Sequence, residues 1–165
     1  MQETANYIQV MIDSLKKKSI ILDRILEKNE AQTECIKNKE YEDINWNAFN
    51  VLMAEKETAI DQINEIDDGF ESVYERIRDD LMANKASYKS EIQDLKDLIS
   101  ELTDKGIKIQ AGEDRNRQMI DNIFSKSRKT VKQQRNSLKV ATSYYQTMRN
   151  TVVSAAEDSI LDSKK

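Results

Sequence analysis

The sequence predicts an all-α fold, an elongated antiparallel bundle of three long helices with coiled-coil-like packing and a C-terminal tail that frays. Three observations predict it. The 165 residues include no proline and only three glycines, so most of the residues that end helices or form hairpin turns are missing. Apolar residues recur at alternating spacings of three and four over long stretches. No run of alternating β-branched residues indicates a strand.

The first helix is predicted over residues 4–36. Its apolar stripe is formed by Ile8, Met11, Leu15, Leu22, Ile25 and Leu26. Beyond these residues the stripe becomes polar, at Asn29 and Thr33, before Ile36 closes it. The predicted length is close to that of the second helix, as expected for two antiparallel neighbours.

The second helix is predicted over residues 46–81. Its seam, in which nine of eleven positions are apolar, consists of Trp46, Phe49, Met53, Lys56, Ile60, Ile63, Asp67, Phe70, Tyr74, Ile77 and Leu81. Trp46 is expected to plug the end of the bundle. Gly69 interrupts the helix-forming residues, but the apolar phase is the same on both sides. We therefore expect a continuous, kinked helix; the alternative is a break between two shorter helices on one axis.

The third helix is predicted over residues 88–140. It begins with a regular seam, formed by Tyr88, Ile92, Leu95, Ile99 and Leu102. After Leu102 most seam positions are polar, so the helix should continue beyond the core, with the ordered body reaching about residue 110. The predicted organisation is one helical domain, residues 1–145, followed by a flexible tail, residues 146–165.

Composition argues against most catalytic sites. Without histidine there is no His-based triad and no ordinary proton shuttle near neutral pH. Cys35 is alone, so neither an intramolecular disulfide nor a thiolate zinc cluster is expected, and the glycines are too isolated for a phosphate-binding loop. The N-terminus lacks the pattern of a signal peptide, and no apolar run could span a membrane. We expect a cytoplasmic non-enzyme without cofactor or metal.

Charge divides the chain into an acidic body and a basic stretch. Residues 1–114 contain 15 basic and 26 acidic residues, whereas residues 115–139 contain eight basic residues and one acidic residue. The basic stretch also carries large apolar side chains. The predicted partner-binding residues are Ile120, Ile123, Phe124, Val131, Leu138, Tyr144 and Tyr145, with the basic residues Lys132, Arg135 and Lys139. The acidic body offers no obvious pocket for these side chains.

A basic helix with an apolar face suits an acidic partner helix, a membrane surface or a nucleic acid. The acidic body would repel phosphates and anionic lipids, which favours a protein partner over nucleic acid or membrane insertion. Two alternatives stay open. The stretch could fold back on its own bundle, or the chain could be a structural coiled-coil protein that self-associates through its third helix.

Two segments of the sequence resemble the flagellar export chaperones of the FlgN type. They are LMAEKETAI at residues 52–60 and VKQQRNSLKVATSYY at residues 131–145. The resemblance extends over roughly residues 5–145. About twenty residues follow Tyr145, and the resemblance gives them no role.

The resemblance implies a cytoplasmic, non-catalytic chaperone of bacterial flagellum assembly. Such chaperones bind the C-terminal helical segments of the hook–filament junction proteins and deliver them to the type III protein export apparatus. Their substrate-binding part is the C-terminal segment. The expected partners are therefore junction proteins, with components of the export apparatus and a second copy of the chain as further candidates.

Overall fold

The computed structural model describes residues 2–127, 139–144 and 146–147. Within these ranges the chain forms three long helices and no strand, which confirms the predicted all-α bundle. The helices are α1 (Gln2–Ile36), α2 (Trp46–Ala83) and α3 (Lys89–Lys126), and short 3-10 helices at Tyr41–Asp43 and Lys85–Tyr88 lie in the two connections. None of the described helices combines the length and the apolarity that crossing a bilayer requires.

Helix α1 is the central element of the bundle. It packs along both α2 and α3, whereas the backbones of α2 and α3 barely approach one another. Side chains of the two helices nevertheless meet, as Lys56 does with Glu113. A cleft lies between α2 and α3 at the end of the bundle where Trp46 packs near Phe124, and it is called the α2–α3 groove below.

The core follows the predicted seams. Ile8, Ile25, Ile63 and Ile99 are all at most 1% exposed. Helix α2 is continuous through Gly69, so the alternative of a break at this glycine is wrong. Gly69 is exposed, and a Cβ placed on it would meet no atom within 4 Å, so the glycine is not required by packing.

The connection between α1 and α2 closes one end of the bundle. Asn45 caps α2, since its side-chain oxygen accepts a hydrogen bond from the Ala48 amide at 3.0 Å. The aromatic rings of Tyr41, Trp46, Phe49 and Phe124 meet here, with neighbouring centroids between 5.4 and 6.1 Å apart. The predicted role of Trp46 as a plug is confirmed.

Helix α3 ends at Lys126, so the prediction of one helix over residues 88–140 is wrong. The Ser127 amide donates to the carbonyl oxygens of Ile123 and Phe124, both at 3.2 Å, and Ser127 leaves the helical conformation. The physical reason is the length of the bundle. At Phe124 the helix has reached the end where α1 stops and α2 begins, and a longer helix would have no neighbour to pack against.

Helical backbone is present again at residues 139–144 and 146–147, which are called the terminal segment below. The predicted flexible tail began at residue 146, but Gln146 and Thr147 are helical. Residues 148–165 lie outside the described residues. The expected end of the ordered body near residue 110 is also wrong, because α3 stays buried at positions as late as Ile120 and Phe124.

Candidate functional site: the groove between α2 and α3

The α2–α3 groove is an apolar cleft at the aromatic end of the bundle. Its volume is about 340 Å³, and it opens to the surface. It is lined on α2 mainly by Trp46, Phe49 and Met53, on α3 by Ile120 and Phe124, and on the terminal segment by Val140 and Ala141. The terminal segment therefore forms part of the cleft and lies beside both helices.

The terminal segment is amphipathic, and its buried face is narrow. Ala141 and Tyr144 are separated by one helical turn and are only 4% and 3% exposed. Lys139 and Ser143 are exposed, and Val140 keeps 55% of its surface accessible at the margin of the cleft. Among the described residues of the segment, the buried side chains are thus one small residue, Ala141, and one large residue, Tyr144.

Tyr144 lies on a buried ion pair. The ammonium Nζ of Lys56 on α2 is 2.8 Å from Oε1 of Glu113 on α3 and 2.7 Å from Oδ1 of Asn29 on α1. The same Nζ lies 4.5 Å from the centroid of the Tyr144 ring, within the range of a cation–π contact. The Lys56 and Glu113 side chains are 0% and 3% exposed. Lys56 therefore joins all three long helices and the terminal segment.

The ion pair belongs to a larger buried polar layer, formed by Asn29, Thr33, Lys56, Glu113 and Asn116. The Asn116 amide donates to the Asn29 carbonyl oxygen at 3.1 Å, and the Thr33 hydroxyl contacts Oδ1 of Asn116 at 2.6 Å. Buried polar groups that find partners only in one alignment of the helices favour that alignment over others. The layer thus fixes the register of α1, α2 and α3 directly beside the groove.

Burial shifts the pKa of both charged groups toward their neutral forms. Desolvation lowers the pKa of the Lys56 ammonium, against the opposing effect of Glu113. Desolvation likewise raises the pKa of the Glu113 carboxyl, and Lys56, Asn29 and Tyr144 oppose that rise. Tyr144 is thus one of the groups that favour the charged form of Glu113, which connects the terminal segment electrostatically to the polar layer.

A second polar contact lies farther along the bundle. Nζ of Lys18 is 2.8 Å from the Asp67 carboxylate, and these side chains are 0% and 14% exposed. Lys105 on α3 reaches Ser19 at 2.7 Å and Asp23 at 2.9 Å, both on α1. These contacts do not involve the groove or the terminal segment, and their role is to align the helices.

The rim of the groove next to Tyr144 is acidic. Glu57 and Asp61, both exposed on α2, line a shallow depression together with Lys139, Ser143 and Thr147 of the terminal segment. The negative charge of Glu57 and Asp61 therefore favours a bound helix with basic residues on the side next to this rim. The terminal segment carries such a residue, Lys139.

The predicted partner-binding residues divide into four groups. Ile120, Phe124 and Tyr144 are buried, Ile123 is partly buried, and Lys139 is exposed. The expectation that the acidic body lacks a pocket for these apolar side chains is wrong for the three buried ones. They pack on their own bundle, Ile120 and Phe124 along the α2–α3 groove and Tyr144 over Lys56. The remaining members, Val131, Lys132, Arg135, Leu138 and Tyr145, lie outside the described residues.

Sequence reasoning missed the groove and the polar layer. The signal was nevertheless present, because Asn29, Lys56, Glu113 and Asn116 all occupy seam positions where apolar residues are expected. On α3 these polar positions indicated a fading core. The structure shows instead that polar seam positions from three helices meet and form hydrogen bonds and an ion pair with one another.

No known protein matches this chain among family models, curated proteins or solved structures. Among the described residues, no group of three or more histidine, cysteine and acidic side chains could hold a metal ion. The functional inference therefore depends on the groove, the terminal segment and the polar layer.

Proposed function

We propose that the chain is a cytoplasmic flagellar export chaperone that binds C-terminal helical segments of hook–filament junction proteins and delivers them to the type III export apparatus. The observation that carries this proposal is that the α2–α3 groove already holds one short helix, the terminal segment. A partner helix would enter the groove in the place of that segment. Grooves that accept the apolar face of a helix are a common mode of peptide recognition.

Described residues from both of the sequence segments that resemble FlgN-type chaperones lie at this groove. Residues 52–60 supply Met53, Ala54 and Glu57 to its wall, and Lys56 beneath it. Residues 131–145 include Val140, Ala141 and Tyr144 of the terminal segment. The resemblance and the groove thus point to the same part of the molecule.

Exchange of one helix for another suits a chaperone that must release its substrate. A large apolar side chain contributes roughly 1.5–3 kcal/mol when it is fully buried. Because the terminal segment already buries Tyr144 and Ala141, an incoming helix gains only the difference between its own contacts and those it displaces. Binding can then be specific without becoming irreversible.

The alternative of a self-associating coiled-coil protein has less support. Its premise is a free apolar face on the third helix, but the α3 seam residues Leu95, Ile99 and Ile109 are at most 1% exposed in the bundle. Ile107 remains 64% exposed on α3. A single apolar side chain of this kind is ordinary on a protein surface and does not form a dimer seam.

The proposal is tested by closing the groove without disturbing the core. Ala54 is exposed on α2 and lines the groove, so Ala54→Arg places a long side chain in the path of an incoming helix. Val51→Arg is the matched control, because Val51 is exposed on the same helix, outside the groove lining, and receives the same charge. Both variants should keep the helical circular dichroism of the parent chain.

Binding is measured by calorimetric titration with peptides from the C-terminal helices of junction proteins. Ala54→Arg should weaken binding at least about tenfold, a loss of about 1.4 kcal/mol, and Val51→Arg should leave it unchanged. If none of the peptides binds the parent chain, the assignment as a junction-protein chaperone is wrong. If both variants bind like the parent, the groove is not the binding site.

A further inference from the structure

The terminal segment lies in the α2–α3 groove without filling it. A cleft of about 340 Å³ remains with the segment in place, and Val140 and Ala141 form its border on the side of the segment. The side chain of Ala141 is a single methyl group, so it occupies little of this space. Val140 lies at the margin and stays 55% exposed. The segment therefore leaves part of the apolar wall uncovered.

The cleft has the size and the lining that suit a large apolar side chain. Engineered apolar cavities of about 150 Å³ bind benzene, and this cleft has more than twice that volume. Its walls include the aromatic and aliphatic side chains of Trp46, Phe49, Met53, Ile120 and Phe124. All of these except Trp46 are buried in the bundle, so the walls are already in place before a partner binds. A leucine or phenylalanine that enters the cleft therefore exchanges water for apolar contacts.

We propose that the groove selects a partner helix with a large apolar residue, such as leucine, methionine or phenylalanine, at the position where the terminal segment has Ala141. The inference rests on the proposed function in that a partner helix replaces the terminal segment in this groove. The acidic rim at Glu57 and Asp61 adds a preference for a basic residue shortly before the apolar one, at the position of Lys139. The terminal segment then covers the groove with low affinity until such a helix displaces it.

The two buried positions of the terminal segment explain where a partner helix gains affinity. At Tyr144 the segment already buries a large side chain, which is 3% exposed. At Ala141 it buries only a methyl group beside an open cleft. Because affinity from apolar contact grows with the apolar area that is removed from water, the main difference between the two occupants arises at the position of Ala141.

The first test fills the cleft from the terminal segment of the full-length chain itself. Ala141→Leu should slow the hydrogen exchange of amides in residues 139–144 at least about tenfold, because the segment opens less often when it is bound more tightly. Gln146→Leu is the matched control, since Gln146 is exposed on the same segment outside the cleft lining, and it should leave this exchange unchanged. Unchanged or faster exchange in Ala141→Leu would overturn the proposal. If Ala141→Leu does not fold, Ala141→Met, with its more adaptable side chain, is used in its place.

The second test measures the selection with fluorescent peptides that have the sequence of residues 136–150. They are added to a full-length chain carrying Ala141→Asp, whose own segment is displaced because the new carboxylate would lie in an apolar cleft that Glu57 also lines. Fluorescence anisotropy should show the Ala141→Leu peptide binding at least about tenfold more tightly than the parent peptide, a gain of about 1.4 kcal/mol. The Gln146→Leu peptide should bind like the parent peptide. Equal or weaker binding of the Ala141→Leu peptide would overturn the proposal.

A change on the groove side tests whether the leucine enters this cleft. Ala54 lines the cleft on α2, so Ala54→Leu, added to the Ala141→Asp chain, occupies part of the space and should reduce the advantage of the Ala141→Leu peptide. Val51→Leu is the matched control outside the lining, and it should leave the advantage intact. An undiminished advantage with Ala54→Leu would overturn the proposal. A dimer of the parent chain in light scattering that disappears with Ala54→Arg would assign the groove to a second copy and also overturn it.

The proposed function fails by a different result. If the peptides of residues 136–150 show the predicted gain but junction-protein peptides do not bind the parent chain, the partner class is wrong while the selection by the groove stands. If junction-protein peptides bind and replacing each of their large apolar residues in turn by alanine does not weaken binding, the chaperone assignment stands and this inference is wrong.

Discussion

Lys56→Met should be among the most destabilising single substitutions in the bundle. The Lys56 side chain is 0% exposed and its Nζ lies 2.8 Å from Glu113, which is itself 3% exposed. Methionine fills most of the volume of lysine, so the loss does not come from a cavity. It comes from the Glu113 carboxylate, which stays buried without its cation and also without the cation's bond to Asn29. Removing one partner of such a pair costs about 3–5 kcal/mol.

The double variant Lys56→Met with Glu113→Leu distinguishes this cause from loss of packing. When both charges are replaced by apolar groups of similar size, the net effect on stability is often close to zero. The double variant should therefore recover most of the loss. Lys28→Met is the surface control, since Lys28 and Glu55 are 36% and 44% exposed and such pairs contribute about 0–1 kcal/mol.

The assay is urea unfolding followed by far-UV circular dichroism, with the free energy of unfolding extrapolated to water. The account predicts a large loss for Lys56→Met, a small loss for the double variant and almost none for Lys28→Met. A double variant as unstable as the single one would show that the polar layer is stabilising in itself. In that case the argument from an unpaired buried charge would be refuted.

Three further predictions concern the glycines and the pH dependence. Gly69→Ala should raise the free energy of unfolding by about 0.5–1 kcal/mol, because the glycine is helical and a Cβ meets nothing within 4 Å; an unchanged urea midpoint would contradict this. The free energy of unfolding of Gly112→Ala should be lower than that of Gly69→Ala by roughly 1–3 kcal/mol, because the alanine Cβ at position 112 would lie 3.3 Å from Asn29 Nδ2 in the buried layer. Equal urea midpoints of the two variants would contradict this. Burial raises the pKa of Glu113 above its ordinary value of 4.5, so this group stabilises the fold most at low pH, and its contribution is lost as the pH rises through the folded pKa. The stability of the parent chain relative to Glu113→Gln should therefore fall as the pH rises from 4.5 toward neutrality, and a constant or rising difference in urea unfolding would count against this sign.

The fold was predictable because it depends on periodic burial. The seam of α2 from Phe49 to Leu81 has the spacing of a helix packed lengthwise, and every apolar position from Phe49 onward in that seam is buried. The continuity of α2 through Gly69 followed from the unchanged apolar phase on both sides, since one glycine costs only about 1 kcal/mol.

The end of α3 and the buried layer were not predictable in the same way. A seam position occupied by Glu113 or Asn116 looks like a failing core when one helix is considered alone. Whether such a side chain is buried depends on the residues that the neighbouring helices place at the same level along the bundle axis. Here these residues are Lys56 and Asn29, which are 57 and 87 positions away in the sequence. Spacing along one helix contains no information about this alignment.

The location of the candidate site was predicted only in part. Tyr144 was predicted to bind a partner because the acidic body offers no obvious pocket for it, but it is buried on its own bundle, over Lys56. Nothing in the sequence indicates that a groove lies between α2 and α3, because this depends on how both helices pack on α1. The alternative in which the stretch folds back on its own bundle is confirmed for the described part of the terminal segment.

Hydrogen exchange with and without a junction-protein peptide tests the central claim most directly. The claim is that a partner helix occupies the α2–α3 groove in the place of the terminal segment. On addition of a saturating peptide, amides of residues 139–147 should exchange faster, because the segment is displaced, while amides of α2 between Trp46 and Glu57 stay protected. Binding of the peptide with undiminished protection of residues 139–147 would contradict the claim.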